Sequence, residues 1–123
     1  MLKSLFLVGF GGALGSMLRF LVQTYMPKWL LGMLPLGTFT VNVLGSFLAG
    51  YFSMWVVKQF HQSDPFSWLL ITGFCGGFTT FSALSIEVVR LFEAGQLGWA
   101  FAYLMATLIL GFSAAFLGMY LAR

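Results

Sequence analysis

Residues Gly73 to Ser82, GFCGGFTTFS, set three glycines and two adjacent threonines inside a run that is otherwise apolar. Carbonyls and hydroxyls at such a place can hold an ion or a small polar solute. They persist there only where protein or a water-filled path covers the helical hydrogen bonds that the segment loses. Two further rows of neutral donors accompany it. Thr38, Asn42 and Ser46 recur at intervals of four, so a helix puts them on one face, with Gly45 beside them. The amide of Asn42 offers two donors and an acceptor, and burying it unpaired costs roughly 2–7 kcal/mol. Tyr103 and Thr107 also stand four apart, and Gly111 and Ala115 continue their row. Neutral donors without a ring of Asp or Glu suit an anion, whereas cation paths more often carry acidic rings. Blander readings stand beside these: Asn42 as a helix-to-helix hydrogen bond, and the Tyr103 row as a packing seam decorated with hydroxyls.

Other chemistries find little support. Arg19 lies well within an apolar stretch, where it either snorkels to the headgroups or concentrates anions at a vestibule mouth. Glu87 and Arg90, three apart, suit a local ion pair. A single cysteine, Cys75, excludes an internal disulfide, and a single histidine, His61, excludes an ordinary metal cluster. No base, nucleophile and metal group converge, which argues against an enzyme.

The elements that carry these residues must cross a membrane. Of 123 residues 60% are hydrophobic and 7% charged, and the mean hydropathy is +0.96, so charge is too scarce to solvate a soluble globule. A spanning helix needs about 20 apolar residues. Breaks near Tyr25 to Met33, Lys58 to Pro65 and Arg90 to Gly98 leave four spans, Leu5 to Tyr25, Leu34 to Val57, Phe66 to Val89 and Trp99 to Leu121. The fold class is therefore an all-α membrane protein of four transmembrane helices, the third broken, in a single domain over 1–123. The first span lacks the pattern of a removable signal peptide and is expected to be retained; the short connections leave room for no soluble domain.

Positive charge is balanced across the two faces. Lys3, Lys58 and Arg123 share one side, while Lys28 and Arg90 lie opposite with Arg19 near them. Orientation follows the Lys/Arg bias of short loops. With no bias, both orientations insert, and an antiparallel dimer of identical chains is expected. Gly11-xxx-Gly15, Ser46-xxx-Gly50 and Gly73-xxx-Gly77 have the spacing that lets helices approach closely in lipid, and assembly is expected from them.

Along essentially its whole length the chain resembles the Fluc, or CrcB, family of fluoride channels. The resemblance is carried by GGALGSMLRF from Gly11 to Phe20, PLGTFTVNVLGSFLAG from Pro35 to Gly50, and GFCGGFTTFSALSIEV from Gly73 to Val88. It implies a dual-topology homodimer in the inner membrane, with two antiparallel pores that export fluoride passively and confer resistance to it. It also implies a structural sodium ion at the dimer axis, held by the backbone carbonyls of Gly76 and Thr79. By the same motifs Asn42 looks like the asparagine that donates to fluoride, Phe81 like the first of two ring-edge phenylalanines, Tyr103 and Thr107 like the hydroxyls of the fourth helix, and Arg19 like the vestibule arginine. Thr38 and Ser82 fall within the implied pore.

Departures from the pattern carry their own expectations. The family reads TTFSTFS where this chain has TTFSALS, so Ala83 replaces a threonine and Leu84 replaces the second phenylalanine. An aromatic edge is positive and meets an anion; leucine offers only apolar volume. Slower conduction follows, or a paralogous partner subunit that restores the ring. Gly111 also stands where relatives often carry a serine. The expected partners are fluoride, the lipid bilayer and a second copy of the chain, with no nucleic acid. The competing functions are a proton-coupled exporter of the dual-topology four-helix type, for which Glu87 is the sole candidate carboxylate, and an accessory subunit of a larger complex.

Overall fold

A computed structural model describes residues 1–27, 34–60 and 64–123. His61 and Lys28 lie outside the described residues. Helix α1 runs Leu2–Tyr25 and α2 runs Leu36–Gln59, the latter entered through Pro35, whose missing N–H would have no helical partner there. The third crossing starts at Asp64, whose carboxylate accepts from the Phe66 N–H at 3.0 Å while Pro65 takes the first helical position. This segment, α3 (65–78), winds as α-helix over Pro65–Ser67, as π-helix over Trp68–Cys75 and as α-helix again over Gly76–Phe78. Helix α4 spans Phe81–Glu93 and α5 spans Leu97–Ala122.

The turn between α4 and α5 has a local cause. Gly95 adopts φ 75°, which a side chain would resist. It lets Gly95 N–H reach the Phe92 carbonyl and Gln96 N–H reach the Leu91 carbonyl at 2.8 Å, closing the orphan carbonyls of α4.

Four segments, Leu2–Tyr25, Leu36–Gln59, Pro65–Glu93 and Leu97–Ala122, are long and apolar enough to cross a membrane. This is a multi-pass membrane protein. The third crossing is interrupted, as expected, but the interruption falls at Thr79 and Thr80, which are extended (φ −83°, ψ 157° and φ −148°, ψ 117°), while the preceding glycines stay in helical turns. The reason is packing. A Cβ on Gly73 would meet the Val8 carbonyl at 2.9 Å, and one on Gly77 would meet Gly12 Cα at 3.0 Å. These glycines bring α3 against α1, and the threonines, with polar side chains to cap the break, take the bend.

The small-residue seams are consumed within the chain. Gly11 and Gly15 face the carbonyls of Leu69 and Phe74, Gly50 faces that of Ala115, and Gly118 faces that of Phe47. So α1 packs on α3 and α2 packs on α5, with backbone against backbone. Between α4 and α5 a core of Leu84, Val88, Leu91, Ala100 and Tyr103 closes the bundle, with Leu34, Phe39, Trp99 and Leu104 against it. The faces turned outward remain apolar, with Phe6, Phe10, Phe20, Phe112 and Phe116 exposed, as a lipid-facing surface requires.

Candidate functional site

The break is held by Asn42. Its Oδ1 accepts from the Thr80 N–H at 2.7 Å and its Nδ2 donates to the Thr80 carbonyl at 3.0 Å. One amide thereby replaces both backbone hydrogen bonds that the extended residue loses, which is what a membrane interior demands. The helix-to-helix hydrogen bond foreseen for Asn42 is thus present. It uses one of the two N–H donors of the amide, and the residue also lines the groove described below. Thr80 caps α4, its Oγ1 accepting from the Ala83 N–H at 3.2 Å and sharing a hydrogen bond with Ser82 Oγ. Thr79 N–H and Oγ1 both donate to the Cys75 carbonyl at 3.0 Å.

On the α1 side, Arg19 Nε donates to the Gly77 carbonyl at 3.0 Å, and Ser16 Oγ approaches the same oxygen at 3.5 Å. Arg19 therefore reaches inward to the end of α3 rather than out to the headgroups. Among the described residues no side-chain or loop donor reaches the carbonyls of Gly76 or Thr79. Gly76 is exposed and Thr79 half-buried, and both line the groove.

That groove, of about 520 Å³, runs along the break between α2, α3, α4 and α5. Asn42, Ser46, Thr79, Thr80 and Thr107 supply its polar wall, and Phe81, Leu84 and Phe112 part of its apolar one. No acidic or basic side chain is among the lining residues. Phe81 stands 80% exposed, while Leu84 is 5% exposed and belongs at once to the groove and to the α4–α5 core. Thr107 Oγ1 donates to the Tyr103 carbonyl one turn back at 2.8 Å, and Ser46 Oγ donates to the Asn42 carbonyl at 2.7 Å.

Tyr103, Thr38, Ser82 and Arg19 are not on the groove wall. Tyr103 OH donates to Glu87 Oε2 at 2.8 Å, and Thr38 Oγ1 donates to Glu87 Oε1 at 2.7 Å. The spacing of Glu87 and Arg90 suggested a local pair, yet among the described residues the partners of Glu87 are these two hydroxyls, and Arg90 is exposed. Glu87 points across the bundle to Thr38 on α2 and Tyr103 on α5, while Arg90 lies on the exposed face of α4. Sequence reasoning also passed over Ser16 and Gln23. With Arg19 between them they are spaced three and four apart, one face of α1, a signal as clear as the row on α2.

A family model described as CrcB-like protein, Camphor Resistance (CrcB) matches residues 6–119. The chain belongs to the CrcB-like family. Among its relatives, a protein of Azobacteroides pseudotrichonymphae named fluoride-specific ion channel FluC is 42% identical over 118 residues, covering 96% of this chain and 94% of its own length. Proteins of the same name from Allorhizobium ampelinum and Flavobacterium psychrophilum are 41% and 38% identical, each covering 99% of this chain and 98% of their own lengths. These names are those of an ion channel, not of an enzyme.

Proposed function

We propose that this protein is a fluoride channel that lets the ion leave the cell passively through the inner membrane. The observation that carries the reading is the groove beside a broken transmembrane helix: free of acidic side chains, it holds one unused Asn42 N–H and the hydroxyls of Ser46, Thr79 and Thr107, whose protons now serve backbone carbonyls and would turn to an entering anion. The relatives' shared name supports fluoride as the anion. Desolvating even a carboxylate-sized ion has an idealised cost of order 20 kcal/mol. At roughly 1.5–3 kcal/mol net per hydrogen bond to a charged group, a few donors offset part of this, so water accompanies the ion at the ends. A negative-inside potential adds about 2.3 kcal/mol per 100 mV to export.

The functional unit in this reading is an antiparallel homodimer with two pores. The groove is open on one side, and the 80% exposed ring of Phe81 stands at it; a second copy would close the one and cover the other. The balanced charge supports opposite orientations of the two copies. A sodium ion at the axis suits the residues present: Gly76 and Thr79 line the groove, and their carbonyls would offer oxygen ligands whose dipoles a bound cation would satisfy. Asn42, Phe81, Leu84 and Thr107 line the path, with Thr38, Ser82 and Tyr103 beside it and Arg19 bracing α3 toward the vestibule.

Liposomes holding only this protein test the reading with a fluoride-selective electrode. Fluoride should discharge under a potassium-ionophore shunt, and Asn42→Ala should slow it; retention of fluoride by the wild-type vesicles would refute the channel. One observation favours a second reading, a proton-coupled exporter: Glu87 is a carboxylate within the third crossing that has hydroxyl partners only among the described residues. Flux that depends strictly on an imposed pH gradient would favour it, and flux indifferent to the gradient would exclude it.

A further inference from the structure

Two layers of side chains stack in the bundle. Thr80, which caps α4, contacts Asn42 on α2, and Glu87, further along α4, contacts Thr38, so α4 runs opposite to α2. Stepping one turn along each helix leads from the groove layer of Asn42, Leu84 and Thr107 to a layer of Thr38, Glu87 and Tyr103, about 5–6 Å away. An anion path that continues past the groove therefore meets a like charge. It stays passable only if the carboxylate is kept to the wall.

Gln23 supplies a brace. Its Nε2 donates to Thr38 Oγ1 at 3.1 Å. An amide nitrogen only donates, so the Thr38 oxygen accepts, and its single proton goes on to Glu87 Oε1. With Tyr103 on the other oxygen, both sides of the carboxylate are held. The berth of Gln23 is made by Gly37: a Cβ there would meet Gln23 Cα at 2.9 Å and Cγ at 3.3 Å.

We propose that Gln23, seated on Gly37, is a positioning residue that acts through Thr38 to pin the Glu87 carboxylate out of the anion's way. The inference rests on the fluoride reading above. Gln23→Leu frees Thr38 to rotate and Glu87 to swing into the path, where its charge repels the entering ion.

The test is fluoride efflux from liposomes over a series of fluoride concentrations. In Gln23→Leu the half-saturating concentration should rise, roughly threefold to tenfold, with maximal flux retained. Adding Glu87→Gln should return it to the wild-type value, because the freed group then carries no charge, a rescue that a merely structural role for Gln23 would not show. Gly37→Ala should reproduce the Gln23→Leu rise, and it decides the matter by the same criteria if Gln23→Leu does not fold. An unchanged half-saturation, or a rise that Glu87→Gln leaves in place, overturns the proposal.

A readout independent of transport separates this from the channel reading itself. The chain has three acidic residues, so subtracting the infrared spectrum of Glu87→Gln isolates the Glu87 carboxylate band. That band should shift in Gln23→Leu. If it does not, the brace is absent whether or not the wild type carries fluoride; if the band shifts and the wild type carries none, the brace stands and the channel reading fails.

Discussion

At the scale of single residues, Asn42 does two jobs that sequence reasoning set against each other. It satisfies the Thr80 backbone at the break and presents its remaining amide surface to the groove. Asn42→Ala orphans a buried N–H and a carbonyl at about 1–3 kcal/mol each, so both the melting temperature in detergent and the rate of fluoride efflux should fall. Asn42→Asp keeps the acceptor for Thr80 N–H but loses the donor; partial recovery of stability without recovery of efflux is expected. Thr80→Val removes the cap of α4 and should cost about 1 kcal/mol, measurable in the same melt. The importance of Asn42 was legible because an amide in an apolar helix must find partners. The roles of Glu87 and Gln23 were not, because their partners lie 49 and 15 residues away along the chain, and spacing within one helix reports only neighbours three or four positions off.

At the scale of elements, the four crossings and the interrupted third one could be read from apolar length and from glycine and threonine content. Its placement within Gly73 to Ser82 could be read too, but not the residues of that segment at which it falls. Glycine serves both as a helix breaker and as a close-packing residue, and here Gly73 and Gly77 do the second, leaving the bend to Thr79 and Thr80. The same ambiguity affected the small-residue spacings, which suggested contacts between chains but join α1 to α3 and α2 to α5 within one. A pair of substitutions on α1 separates the uses of glycine. Gly15→Ala drives a methyl into the Phe74 carbonyl and should destabilise the protein by about 1–3 kcal/mol. Gly9→Ala, with nothing within 4 Å of the added atom, should leave thermal stability unchanged or slightly raised. Equal effects at the two sites would show that α1 and α3 are not packed through this seam.

At the scale of the whole molecule, the open groove and the exposed Phe81 ring are what the proposed dimer would cover. Phe81→Ala should weaken self-association, seen as a larger monomer fraction by single-molecule photobleaching at high lipid dilution. Reporters fused in turn to each terminus should find that terminus on both sides of the membrane; a single cytoplasmic orientation would remove the antiparallel arrangement while leaving the groove chemistry in place. Charge balance is what the expectation of two orientations rests on, since loop Lys and Arg are counted directly. What covers the groove leaves no such signal, because a surface suited to a second copy is as apolar as one suited to lipid. The most direct measurement is the efflux of fluoride and of chloride, side by side, from vesicles containing only the purified chain. Neutral donors at narrow spacing, standing in for water, require fluoride to leave far faster than the larger halide. Equal release of the two, or fluoride retained, would contradict that mechanism.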